Sequence, residues 1–462
     1  MAKRVLIRGA QVVLPDGIAL TNVLLQDDKI LAVDAGWDQS CQEIVEATGH
    51  YLLPGVIDDQ VHFREPGAEH KEDLESGSRA CAAGGVTTFL EMPNTSPPAV
   101  DHERLAWKYL RAAKVSRVNY GFYIGATDSN LDALRAATQL KGVEPQGKSI
   151  CVPGIKIFIG SSTGDLLVDS QGALEEIFSS TQLPICAHCE DESTVRANRA
   201  MVGENPTIQD HSRIRDTRAA TVATSRAVDL ALRHKHRFHV LHASAEDELS
   251  LIRAGKPFVT AEACPHHFLF SIDDYARLGT LCQMNPALKS RQDAVAIWNA
   301  LVDGTIQLIA TDHAPHTIQE KQLTYPASPS GIPAVENCLP LMLNRANQGL
   351  CTLEQIAGWM SDAPARVWGL VGKGRIEAGY DADLVLVDMG LKRTVDNNVQ
   401  FTRCGWSPWA GEVLQGWPIR TWVGGQTVFC QNQLLESVRG RAVLCDHSRG
   451  GYWSLTSGVG LR

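Results

Sequence analysis

At 462 residues the chain is too long for one ordinary domain; a barrel of about 250 residues with a smaller companion domain accounts for it. Its 44% hydrophobic and 21% charged residues are those of a globular protein, and a net charge of −9 argues against a nucleic-acid partner held by counter-ion release. No run of about 18 or more apolar residues is available to span a bilayer, so the expected partner is a small molecule, with no nucleic acid and no membrane.

The N-terminal stretch Val5-Leu6-Ile7-Arg8-Gly9 interrupts its apolar run with Arg8, which predicts a first strand rather than a signal peptide and favours the cytoplasm. Residues 1–53 continue as short strands broken by turns such as Pro15-Asp16-Gly17. From residue 55 apolar segments alternate with helical patterns. The strand candidates are 55–62, 86–92, 118–124, 154–160, 184–188, 238–242, 257–263 and 306–312, and amphipathic stretches at 72–83, 101–114, 213–233, 244–254 and 291–303 lie between them. Eight strands with crossover helices predict an α/β fold, a (β/α)8 TIM-like barrel over 54–375, with a doubly wound sheet open on pattern alone. Residues 376–445 return to short strands, as in Asp383-Leu384-Val385-Leu386-Val387-Asp388, and with 1–53 they predict one small β-sandwich domain. The tail, 446–462, carries no periodicity.

Twelve cysteines without an export signal are expected to be reduced and mostly buried. The C-x-x-C at Cys186-Ala187-His188-Cys189 closes an apolar strand with no helix start behind it, which argues against a redox pair.

Polar residues that break the apolar strands fall at the strand ends, where a barrel keeps its chemistry. In Gly154-Ile155-Lys156-Ile157-Phe158-Ile159 the isoleucines share the face toward the helices, so Lys156 points inward. Burial favours its neutral amine, which can take up carbon dioxide to give a carbamate able to bridge two metal ions. His188 and His242 close two neighbouring strands, as nitrogen donors to zinc would. His234, His236 and His239 lie in a basic stretch or face the helices and are expected to be structural. Asp312, at the end of the last strand, is placed to touch both metal and water and to act as general base. In the first strand residues 58, 60 and 62 share a face by the two-residue repeat, so Gln60 stands where a histidine would pair with His62.

The motifs His62-Phe63-Arg64-Glu65-Pro66-Gly67, Glu91-Met92-Pro93-Asn94-Thr95, Met284-Asn285-Pro286, Thr311-Asp312-His313-Ala314-Pro315-His316 and Cys404-Gly405-Trp406-Ser407-Pro408 together resemble the dihydroorotases of the amidohydrolase superfamily, over nearly the whole chain. The resemblance implies that Arg64, Asn94 and His316 grip the carboxylate of dihydroorotate and that Asn285 contacts its ring. The implied reaction is reversible hydrolysis of a cyclic amide to N-carbamoyl-L-aspartate in pyrimidine synthesis. Hydantoinases and allantoinases share the implied metal site without needing the carboxylate grip. The resemblance also implies a homo-oligomer and an association with aspartate transcarbamoylase, which a catalytically silent relative could serve as a structural partner. Gln60 is the departure, standing at the first histidine of the family's H-x-H pair. One metal position would then have His62, Lys156, Asp312 and only a weak amide ligand, while the other keeps Lys156, His188 and His242. One or two zinc ions are therefore expected, held with unequal affinity.

Overall fold

The computed structural model describes residues 2–37, 39–139, 151–160 and 166–451. Its centre is a parallel barrel of strands Val56–Val61, Val86–Glu91, Asn119–Phe122 (continued by Ile124–Gly125), Ile155–Ile159, Ile185–Cys189, Phe238–Val240, Val259–Ala263 and Leu308–Ile309. The eighth strand is far shorter than the predicted 306–312. The chain beyond it nevertheless closes the ring, through a parallel bridge between Val61 and His313 in which His62 N–H donates to His313 O at 2.8 Å.

Two apolar layers hold the barrel. Alternate strand residues such as Ile155, Ile157 and Ile159 face the helices, while Ile57, Leu90, Tyr123, Leu308 and Trp368 fill the interior. The predicted helix 213–233 is two helices, Ile208–Ile214 and Thr217–His234, because Asp216 accepts a hydrogen bond from Ala219 N–H at 2.9 Å and restarts the chain as an N-cap.

The N- and C-terminal segments join in one nine-stranded sheet, the small β-sandwich domain. Strand Tyr51–Pro54 pairs in parallel with Arg4–Leu14 and antiparallel with Leu384–Thr394, Leu53 opposite Val385. Two segments near the C-terminus leave this sheet for the barrel. The connection 395–412 covers the mouth, where Trp406 and Trp409 pack with Phe270 and Met284, and Trp406 Nε1 donates to His316 O at 2.7 Å. The segment after 436 crosses the opposite end, and Val443 joins the interior cluster around Trp368. There one pair departs from the expectation of reduced, mostly buried cysteines, which the ten others, eight of them buried, meet as free thiols. Cys151 and Cys445 form a disulfide with their Cα atoms 5.5 Å apart. Their separation of 294 residues left no spacing to read. Cys186 and Cys189 are buried free thiols. Residues 452–462 of the tail lie outside the described residues.

Among the described residues no helix is long and apolar enough to cross a membrane.

Candidate active site

Nine of the ten residues singled out by sequence line a single cavity of about 120 Å³ at the carboxyl ends of the barrel strands: Gln60, His62, Arg64, Asn94, Lys156, His188, His242, Asn285 and Asp312. The tenth, His316, stands behind Arg64, its Nε2 3.3 Å from Arg64 Nη2.

Simple alternation misplaces two side chains. The register between the first two strands slips between Asp58 and Val61. Ile57 and Asp59 therefore point into the interior, Gln60 and His62 into the cavity, and Asp58 does not share their face. Asp58 instead accepts from Thr311 N–H at 3.1 Å and Thr311 Oγ1–H at 2.5 Å, bracing the residue before Asp312; burial pushes its carboxyl up to about 7 against these bonds. His239 faces the interior, not the helices, since its strand ends at Val240 and His242 beyond it is turned to φ +37°. Arg64 (φ +64°) and Asp312 (φ +46°) share this left-handed conformation, which costs a non-glycine residue about 1–3 kcal/mol. Three strained strand-end residues around one cavity mark it as functional.

His239 donates to Glu262 at 3.1 Å, with Asp59 close by, and the ligand atoms of these three lie within 4.8 Å of one another. They could hold a cation by chemistry, yet three of the four carboxylate oxygens are already engaged, by Trp368 Nε1, His239 Nε2 and His242 N–H. The group is a polar layer beneath the cavity.

The donors in the cavity itself are differently arranged. His62 Nδ1–H donates to Asn94 Oδ1 at 2.7 Å, leaving its bare Nε2 to face Asp312 Oδ1 at 3.0 Å. Gln60 Nε2 donates to the same oxygen at 3.1 Å, while Gln60 Oε1 is buried without a partner. His188 Nε2–H donates to Glu190 Oε2 at 2.9 Å, turning its Nδ1 toward His242 Nε2, 3.0 Å away. Burial lowers the pKa of all three histidines, so they present lone pairs. Lys156, 1% exposed, has its Nζ 4.4 Å above the Phe158 ring and no ion pair among the described residues; burial lowers its pKa too.

A family model for the amidohydrolase family matches residues 51–428. The dihydroorotase of Halobacterium salinarum is 37% identical over 421 residues, 90% of this chain and 95% of that protein. That of Bacillus caldolyticus is 34% identical over 396 residues, 84% of this chain and 89% of that protein. Among solved structures, the L-hydantoinase (dihydropyrimidinase) of Arthrobacter aurescens matches with a TM-score of 0.89 and 27% identity, covering 96% of this chain and all of that one. The chain belongs to the amidohydrolase family.

Amidohydrolases are generally metal-dependent, and the donors here fit that role. A bare imidazole nitrogen 3.0 Å from a carboxylate oxygen, with an orphaned amide oxygen beside them, is a set of acceptors that a cation between them would satisfy. Glu190 went unnoticed in the sequence, although it lies two residues beyond His188. Burial pushes its carboxyl up, but Arg215, with Nη1 2.6 Å away, and His188 more than offset this and hold it well below the usual carboxylate range. As an anion it fixes the His188 ring with the Nδ1 lone pair toward the cavity. Gly331 matters by close approach. At φ +136° a Cβ there would lie 2.4 Å from Ala314 O and 3.0 Å from His316 Cδ2.

Proposed function

We propose that this amidohydrolase interconverts dihydroorotate and N-carbamoyl-L-aspartate, with zinc held by His62, Lys156, His188, His242 and Asp312. The observation that carries this reading is Arg64. Its Nε donates to Pro315 O at 3.1 Å, and no carboxylate pairs with its guanidinium among the described residues. Burial lowers its pKa only to about 10, so a full positive charge faces the cavity. A guanidinium fork without a counter-ion selects a planar anion. Arg64 and Asn94 would bind the ring's carboxylate, with His316 behind them, and Asn285 would contact the ring. Zinc, when bound, supplies Lewis acidity to the amide carbonyl and to water. Asp312 takes the proton of the attacking water and returns it to the leaving ring nitrogen, which its place between Gln60, His62 and the cavity allows.

The decisive experiment follows ultraviolet loss of dihydroorotate by the zinc-loaded protein, beside an uncharged hydantoin. Dihydroorotate is expected to be the better substrate, and Arg64→Ala to raise its KM about 100-fold, as losing charge-assisted hydrogen bonds of roughly 1.5–3 kcal/mol implies. The likeness to a hydantoinase supplies a second reading, and a preference for the uncharged ring, indifferent to Arg64, would establish it instead.

Gln60 makes the two metal positions unequal. His62, Lys156 and Asp312 share theirs with a neutral amide, whereas Lys156, His188 and His242 need no substitute. Zinc titration of the metal-free protein is expected to give one tight equivalent and a second at least about 10-fold weaker, with Gln60→His drawing the two together. Two equivalents of matched affinity in the unsubstituted protein would contradict this asymmetry.

A further inference from the structure

His316 is contacted on both ring nitrogens, and the contact on Nδ1 comes from a residue outside the cavity. Lys71, in the loop after the first barrel strand, has its Nζ 3.0 Å from His316 Nδ1 and 3.0 Å from Glu320 Oε1, which anchors it from the helix Ile318–Lys321. We propose that Lys71 is a positioning residue for anionic substrates, which keeps the guanidinium of Arg64 free by locking the tautomer of His316. The proposal rests on the reading of Arg64 as the carboxylate-binding group.

The argument is one of donors and acceptors. An ammonium can only donate, so His316 Nδ1 must accept, and the single proton of the neutral ring sits on Nε2. There it donates to Ser330 O at 3.0 Å. Burial pushes the ring's pKa far down, with Arg64 and Lys71 adding to the effect, so a second ring proton does not intervene. With its Nε2 carrying hydrogen, His316 cannot accept from Arg64 Nη2, 3.3 Å away. Arg64 then spends only Nε on the protein, through Pro315 O, and keeps its outer nitrogens for a carboxylate. Without Lys71 the ring can carry its proton on Nδ1. Its Nε2 lone pair would then take the Arg64 Nη2 hydrogen and turn a repelling edge toward an incoming anion. Two cations, Arg64 and Lys71, flank the imidazole against the single carboxylate of Glu320, while burial brings the nearby Lys321 amine down to about 7, so loss of Lys71 also weakens the attraction for an anion. The substrate class this arrangement selects is a cyclic amide with a carboxylate beside the ring.

The test compares Lys71→Met and Lys71→Arg with the zinc-loaded wild type. For dihydroorotate, Lys71→Met is expected to raise KM about 10-fold with kcat within about twofold, to leave the KM of an uncharged hydantoin unchanged, and to be largely restored by Lys71→Arg, which also can only donate. The ¹⁵N shifts of His316 should report Nε2–H in wild type and Lys71→Arg, and a mixture of tautomers in Lys71→Met. An equal KM change for charged and uncharged rings, or an unchanged tautomer, overturns the role given to Lys71 while leaving the proposed function standing. A wild type that shows no preference for the carboxylated ring overturns both.

Discussion

Asp312→Asn is expected to lower kcat about 1,000-fold while moving the melting temperature by no more than a few degrees. The substitution keeps the shape and an oxygen that can still accept from Gln60 Nε2, at 3.1 Å in the native protein. The brace from Asp58 acts on Thr311 and is untouched, so the strained conformation at φ +46° keeps its support. What disappears is the charge facing His62 Nε2 and the capacity to hold a proton between the two halves of the reaction. Proton transfer of this kind contributes about 10²–10⁴-fold, and a weakened metal ligand adds to the loss. Steady-state kinetics at saturating dihydroorotate, with circular dichroism melting as the control, reads both quantities. Residual activity above about a tenth of wild type would remove Asp312 from the role of general base.

Most of this site was legible because a barrel converts strand ends into a common surface. Each of Lys156, His188, His242 and Asp312 interrupts an apolar run, and once eight such runs are counted their ends must converge. Alternation worked for Lys156, whose strand is regular along Ile155–Ile159. It failed at Asp58 and His239 because the first strand slips register and the sixth ends before His242, and neither irregularity leaves a mark in residue type. The same limit hid the disulfide between Cys151 and Cys445 and placed Cys404-Gly405-Trp406-Ser407-Pro408 in the wrong neighbourhood: the motif lies between two strands of the β-sandwich, yet its Trp406 reaches His316. Groups that act through another residue were the hardest to see. Glu190 and Lys71 look like ordinary loop charges until the ring nitrogens they hold are known. Gln60 was the opposite case: an anomaly visible at once, whose consequence appears in an orphaned buried oxygen.

Lys156→Met should remove both zinc equivalents and with them at least about 1,000-fold of activity, because this is the one side chain assigned to both metal positions. Loss of His188 or His242 leaves the opposite position its own donors; loss of Lys156 leaves each position incomplete. Methionine is chosen for its volume and polarizability beside the Phe158 ring, over which the Lys156 Nζ sits at 4.4 Å. An amine buried to 1% exposure, with no ion pair among the described residues, is a cost to the metal-free fold, so the variant should melt no lower than metal-free wild type. That separates a binding role from a packing role: a structural lysine would lose stability along with activity. The carbamate adds a condition of its own. On the proposed reading, the neutral amine that burial favours would attack carbon dioxide, forming a nitrogen–carbon bond and releasing one proton, and the resulting carboxylate would be the anion that Lys156 offers to both metal positions. Metal-free wild type reloaded with zinc in buffer purged of carbon dioxide should therefore bind it weakly, and added bicarbonate should restore tight binding within the time of carbamate formation. In Lys156→Met bicarbonate should have no effect on zinc affinity. Tight binding of two equivalents by that variant, or indifference of the wild type to bicarbonate, would show that the bridge between the metal positions is not built on Lys156.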